Sequence, residues 1–114
     1  VNIHPSLLPK YPGLNTHRRA LAAGDTEHGA SVHYVTEELD GGPVAIQGRL
    51  RLRAQDNEQA VADRVMQDIE VKIFPQALGW MARGDVRYDD GVLRFRGRPL
   101  AAPLTLDDLE APFR

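Results

Sequence analysis

The chain has 114 residues, 42% of them apolar and 26% charged, and its 14 basic against 16 acidic side chains leave a net charge of −2. That is the length of one domain, and the near balance excludes a dedicated nucleic-acid binder, which carries a basic excess. No apolar run approaches the ~18 residues of a membrane span, no signal peptide opens the chain, and the absence of cysteine excludes disulfides, thiolate metal sites and cysteine nucleophiles. The setting these features lead one to expect is cytoplasmic.

Val1-Asn2-Ile3-His4 opens the chain without a methionine and reads as the tail of a buried strand, so a segment upstream is expected. His4 precedes Pro5, which pushes it towards extended geometry. From Pro5 to Leu14 three prolines and Gly13 predict a loop with no room for a helix. Thr16 to Ala23 is rich in helix formers, with Asn15 or Thr16 as cap and Gly24 as stop. A strand is expected over about 30–36, a tight turn at Leu39-Asp40-Gly41-Gly42-Pro43, and a second strand over 44–53. In that second strand Val44, Ile46, Leu50 and Leu52 face one way and Gln47, Arg49, Arg51 and Arg53 the other.

Asp56 with Gln59 resembles a capping box and starts a helix running to about Met81, along which Ile69, Ile73, Ala77 and Trp80 recur at helical spacing. Pro75 should kink or locally unwind it. Val86–Tyr88 and Val92–Phe95, joined through Asp89-Asp90-Gly91, predict a hairpin. Residues 97–114 carry little pattern and are expected to form a weakly structured tail. The order is α/β with a mixed sheet.

All four histidines (His4, His17, His28, His33) lie in the first 33 residues. Asn2 and His4 are two apart on a strand, so both side chains leave the same face, at the end where open α/β sheets bind ligands. An amide donor beside an imidazole is an oxyanion-stabilising and proton-transferring pair. The same spacing equally describes a strand-end amide bonding the loop and a histidine packed under Pro5. Asp40, in its Gly-Gly-Pro turn, is either an ordinary turn aspartate or a carboxylate that fixes the tautomer of His4. No two histidines have metal-ligand spacing, so no metal is expected. His17 reads as solvated, and His28 and His33 as making supporting hydrogen bonds. The Arg49/Arg51/Arg53 stripe reads as the wet face of an edge strand, and Glu70, by itself, as a solvated charge.

The wording of two segments says more than their spacing. Asn2-Ile3-His4-Pro5-Ser6-Leu7-Leu8-Pro9-Lys10-Tyr11-Pro12-Gly13 resembles the signature of the folate-dependent formyltransferases. Gly29-Ala30-Ser31-Val32-His33-Tyr34-Val35-Thr36-Glu37-Glu38-Leu39-Asp40-Gly41-Gly42-Pro43 resembles the second signature of that family, at the separation the family uses. Tyr11-Pro12-Gly13-Leu14 and Thr16-His17 resemble the branch acting on glycinamide ribonucleotide more than the tRNA and sugar branches. The resemblance runs from Val1 to about Trp80.

It implies the C-terminal part of a Rossmann-like fold with a mixed, mainly parallel sheet flanked by helices, the phosphate-binding N-terminal half being absent. The implied reaction carries a formyl group from 10-formyltetrahydrofolate to the amine of glycinamide ribonucleotide, a step of purine biosynthesis that needs no metal. Asn2, His4 and Asp40 match the family's catalytic trio. Asn2 and protonated His4 would stabilise the oxyanion, while Asp40 would hold His4 and help move the proton. Residues 5–15 resemble the family's mobile flap. Val35, Thr36, Glu37, Leu39 and Asp40 resemble the wall that binds the pterin through backbone groups. Glu70 matches a ribose-binding glutamate, which overturns its reading as a solvated charge, and Asn2 would also touch this substrate. Small-molecule partners are implied, with no nucleic acid or membrane, and a homodimer is left open. Two departures stand out: Asn15 replaces a flap histidine, and Arg64–Pro75 is one residue longer than the pattern. The isolated chain is expected to turn over poorly. A formyltetrahydrofolate hydrolase, with water as nucleophile, and a non-catalytic folate-binding module are the alternatives.

Overall fold

The computed structural model describes residues 1–114. Two small sheets share one layer of helix. Strands β1 (Asn2–His4), β2 (Glu27–His33) and β3 (Val44–Arg51) form the first sheet in that order. β4 (Val86–Asp89), β5 (Val92–Phe95) and β6 (Arg98–Pro99) form the second. Every strand pair is antiparallel, which corrects the expected mainly parallel sheet. Within this chain the connection from β2 to β3 is a short turn, and a turn that short can only return the chain antiparallel. The one parallel contact is a bridge between Ile46 and Leu104.

The register gives the first sheet two unlike faces. Ile3 pairs with Val32 and Val32 with Ile46, and these three side chains turn towards the helices. Asn2 pairs with His33, His4 with Ser31, and Ser31 with Gln47, so the opposite face is a row of polar groups. Helix α1 (Thr16–Ala22) starts after Asn15, which takes a left-handed conformation and makes no side-chain cap. It ends before Gly24, whose φ of 71° suits a stop. The first long strand comes earlier than expected, at 27–33 rather than 30–36.

The predicted long helix is three segments: α2 (Glu58–Val65), a wide π turn over Met66–Glu70, and α3 (Val71–Arg83). Asn57 caps α2 by accepting from Ala60 N at 2.8 Å. The expected cap, Asp56, instead accepts from Arg53 N and pairs with Arg64. A π turn fits one additional residue into a helix without rotating the turns beyond it. Across it Val61, Val65, Ile69, Ile73, Ala77 and Trp80 all stay on one buried face. They close on Ala30, Val32 and Ile46, and Gly48 admits the helix because a Cβ there would lie 2.5 Å from Ile69 Cγ2. Pro75 sits inside α3, one turn beyond the wide segment.

The hairpin forms as predicted, with Asp90 and Gly91 both at positive φ, the two-residue turn that matches strand twist. The closing residues are more ordered than a weakly structured tail. Leu104 N donates to Ala45 O, and Gln47 N donates to Leu104 O, which seals the outer edge of β3. Leu104 and Leu109 are buried. The fully buried amide of Gln76 accepts from Glu110 N at 2.6 Å and donates to its carboxylate at 2.9 Å. Two apolar side chains and one buried amide anchor the tail, and none of these contacts has a sequence period. No helix is long and apolar enough to cross a membrane.

Candidate active site

The polar face of the first sheet lies under the loop of residues 5–15. Ser31 Oγ, fully buried, accepts from Leu8 N at 3.1 Å and donates to Ser6 O at 2.7 Å. Gln47 Nε2 donates to Leu8 O at 2.6 Å and to Ser31 Oγ at 3.0 Å. Gln47 therefore leaves the expected wet face of β3, whose Arg49 and Arg51 are exposed. Further along, Tyr11 OH donates to Asp25 Oδ2, and Thr16 Oγ1 donates to Pro5 O. The phenol of Tyr11 is held above its ordinary range, first by that bond to Asp25 and then by desolvation.

Where the loop crosses the end of β1, the structure brings His4 and Asp40 together. His4 Nδ1 lies 3.4 Å from Asp40 Oδ2, both side chains being nearly buried. His4 Nε2 is 2.8 Å from Tyr11 O. A carbonyl only accepts, so Nε2 carries a proton, and this nitrogen is the one free to serve another acceptor if the loop withdraws. Gly13 N donates to Asp40 Oδ2 at 2.9 Å. Asp40 holds a left-handed φ of 50°, allowed to aspartate at modest cost and typical of a constrained site.

Asn2, His33 and the segment Val35–Asp40 line a cleft of about 270 Å³. The residues expected to form a ring-binding wall, Val35, Thr36, Glu37 and Leu39, are all in it, with Val35 and Leu39 exposing most of their apolar surface. Asn2, His4 and Asp40 thus meet at one place. Glu70 does not join them: it lies on the π turn, in a separate groove of about 370 Å³ with Ile3, Met66, Val71, Phe74 and Pro75. Those apolar walls desolvate its carboxyl and push its pKa up.

His17 and His28 pair through Nδ1 and Nε2 at 2.9 Å, so His17 is bound rather than solvated. Burial, reinforced by the neighbouring His17, lowers His28 to about 4. No group of three or more metal-ligating side chains is present. The residues that sequence reasoning passed over are Ser31 and Gln47, the loop anchors. Their signal is polarity at positions that alternate with a buried apolar face on both strands.

The Formyl transferase family profile matches residues 1–78. The chain is 50% identical to the phosphoribosylglycinamide formyltransferase of Escherichia coli over 100 residues, which cover 88% of this chain and 47% of that protein. It is 43% identical to the enzyme of that name from Haemophilus influenzae, with the same coverage. Among solved structures, the phosphoribosylglycinamide formyltransferase of Coxiella burnetii superposes with a TM-score of 0.82 at 50% identity, covering 91% of this chain and 49% of that one. A formyltetrahydrofolate deformylase from Pseudomonas syringae superposes with a TM-score of 0.74 at 32% identity, covering 82% of this chain and 31% of that one. The chain spans about half the length of the curated formyltransferases it matches. Matched over its first 78 residues, which hold the paired His4 and Asp40, and along most of its length by these enzymes, the chain belongs to the formyl transferase family.

Proposed function

We propose that this chain supplies the reaction centre of an enzyme that transfers a formyl group from 10-formyltetrahydrofolate to the amine of glycinamide ribonucleotide. The observation that carries the reading is the pairing of His4 with Asp40 beside Asn2, at the mouth of a cleft walled by Val35–Asp40. The amine nitrogen forms a bond to the formyl carbon, and the carbonyl electrons move onto oxygen. Asn2 Nδ2 and His4 Nε2 donate to that oxyanion, His4 exchanging its bond to Tyr11 O for it. The intermediate collapses by breaking the bond to the folate nitrogen. The proton lost by the attacking amine reaches that leaving nitrogen through Asp40, directly or by way of water. Backbone groups of Val35, Thr36, Glu37 and Leu39 hold the pterin ring, and Glu70 takes the ribose hydroxyls in the second groove. None of these steps calls for a metal.

The likeness to a deformylase supports one competing reading, in which water replaces the amine. The test measures formyl loss from 10-formyltetrahydrofolate by the full-length gene product, with and without glycinamide ribonucleotide. Loss that requires the amine is the expected result. Loss that ignores it makes the protein a hydrolase, and binding of folate without loss makes it a non-catalytic module.

A further inference from the structure

His33 is buried, 2% exposed, and its Nε2 has no hydrogen-bond partner. Side chains so placed are rare, because a buried nitrogen without a partner has given up water for nothing. Asp40 Oδ1 lies 3.6 Å from it. The two oxygens of Asp40 are differently served. Oδ2 accepts from Gly13 N and faces His4, whereas Oδ1 has only His33 in front of it. The ring of His33 stands edge-on to that of His4, with centroids 6.4 Å apart, so the carboxylate is flanked by two imidazoles. His33 owes this direction to its backbone: the register shifts between Val32 and His33, and the strand partner of His33 is Asn2.

We propose that His33 is a positioning residue for Asp40, its buried Nε2–H closing onto Oδ1 and fixing the carboxylate plane so that Oδ2 stays on His4. A carboxylate only accepts, so the nitrogen facing it must carry the proton, which in a neutral ring leaves the 3.3 Å approach of Nδ1 to Tyr34 O a contact rather than a hydrogen bond. A carboxylate held at one oxygen can swing about its side-chain bonds, while one held at both cannot. His33 touches neither the formyl group nor the amine. Its influence passes through Asp40, and the inference therefore rests on the proton-moving role proposed for Asp40.

The test compares His33→Leu, His33→Gln and Asp40→Asn in the full-length gene product, measuring kcat, both KM values and the imidazole nitrogen spectrum. Leucine fills the space without a donor and is expected to lower kcat about tenfold with both KM values within about twofold, as for residues that orient another. Glutamine carries an N–H to nearly the same place and is expected to recover most of the loss. In the spectrum, the His33 Nε2 resonance is expected to be that of a protonated donor and to move in Asp40→Asn. A kcat unchanged in His33→Leu while Asp40→Asn collapses overturns this inference alone. An Asp40→Asn variant of normal activity removes the role of Asp40 as well. A loss in His33→Leu that glutamine does not recover, accompanied by a lowered Tm, reduces His33 to packing and also overturns it.

Discussion

Replacing Ser31 by alanine removes one hydroxyl and strands two backbone groups. Leu8 N loses the oxygen it donates to, and Ser6 O loses the hydroxyl it accepts from, both at a fully buried position. Gln47 Nε2 is less affected, because it keeps its bond to Leu8 O at 2.6 Å. An unsatisfied buried polar group costs about 1–3 kcal/mol, so two of them give a loss of about 2–4 kcal/mol once some relaxation is allowed. On a domain of this size that is a fall in Tm of roughly 8–15 °C. Urea unfolding of wild type and Ser31→Ala measures it. Hydrogen exchange at Leu8 N should rise in parallel if the bond is what protects that amide. Leu14→Ala serves as the control, since Leu14 is 83% exposed and should change stability by less than about 0.5 kcal/mol. A Ser31→Ala loss below about 1 kcal/mol with unchanged exchange at Leu8 would refute the view that this hydroxyl ties the loop to the sheet.

Gly42→Ala should displace the Asp40 turn, because its Cβ would lie 1.8 Å from Tyr34 O. The expected loss is about 2 kcal/mol or more, read by thermal unfolding and by weakened folate binding. Burial holds His28 at about 4, below its unfolded value of about 6.5, so the folded protein binds fewer protons between those limits. Stability should therefore fall as pH drops from about 6.5 towards 4, by roughly 2 kcal/mol after allowing for solvent screening, and His28→Gln should remove that part of the profile. Glu70 titrates high because its charged form is desolvated, so Glu70→Gln should stabilise the protein at neutral pH while raising KM for the ribonucleotide. Stabilisation without a KM change would free Glu70 from any binding role. Deleting the exposed Gln67 should turn the π turn into an ordinary α-helical one and leave Tm within a few degrees of wild type, whereas a large loss would mean that the wide turn itself is needed.

How much of this could be read from the sequence differs by residue. Asn2, His4 and Asp40 were legible because their neighbours spell two motifs, not because spacing implied a contact between positions 4 and 40. The helix face of Ile69, Ile73, Ala77 and Trp80 was legible from its period, whereas the π turn over Met66–Glu70 was not, because the sequence placed the break at Pro75. The sheet direction was not legible, since alternation is the same in parallel and antiparallel strands. Nor was the covering of the polar face: Gln47 shares its strand face with the arginine stripe, nothing local sets Ser31 apart, and the loop that lies over both is more than 20 positions away. The tail was missed for the same reason, because Leu104 and the Gln76–Glu110 bonds act across the fold and leave no local trace.

Both ties from the loop to the side chains of the reacting pair are main-chain on the loop's part: the carbonyl of Tyr11 on His4 and the amide of Gly13 on Asp40. Every residue type has a carbonyl, and every type but proline has an amide. Side-chain replacement in this part of the loop therefore cannot cut either tie directly. The loop is free to change its surface, and with it what it presents to a bound ligand, while its grip on the chemistry is carried by atoms that mutation does not reach. Only proline at position 13, or a change that bends the backbone there, would break that separation.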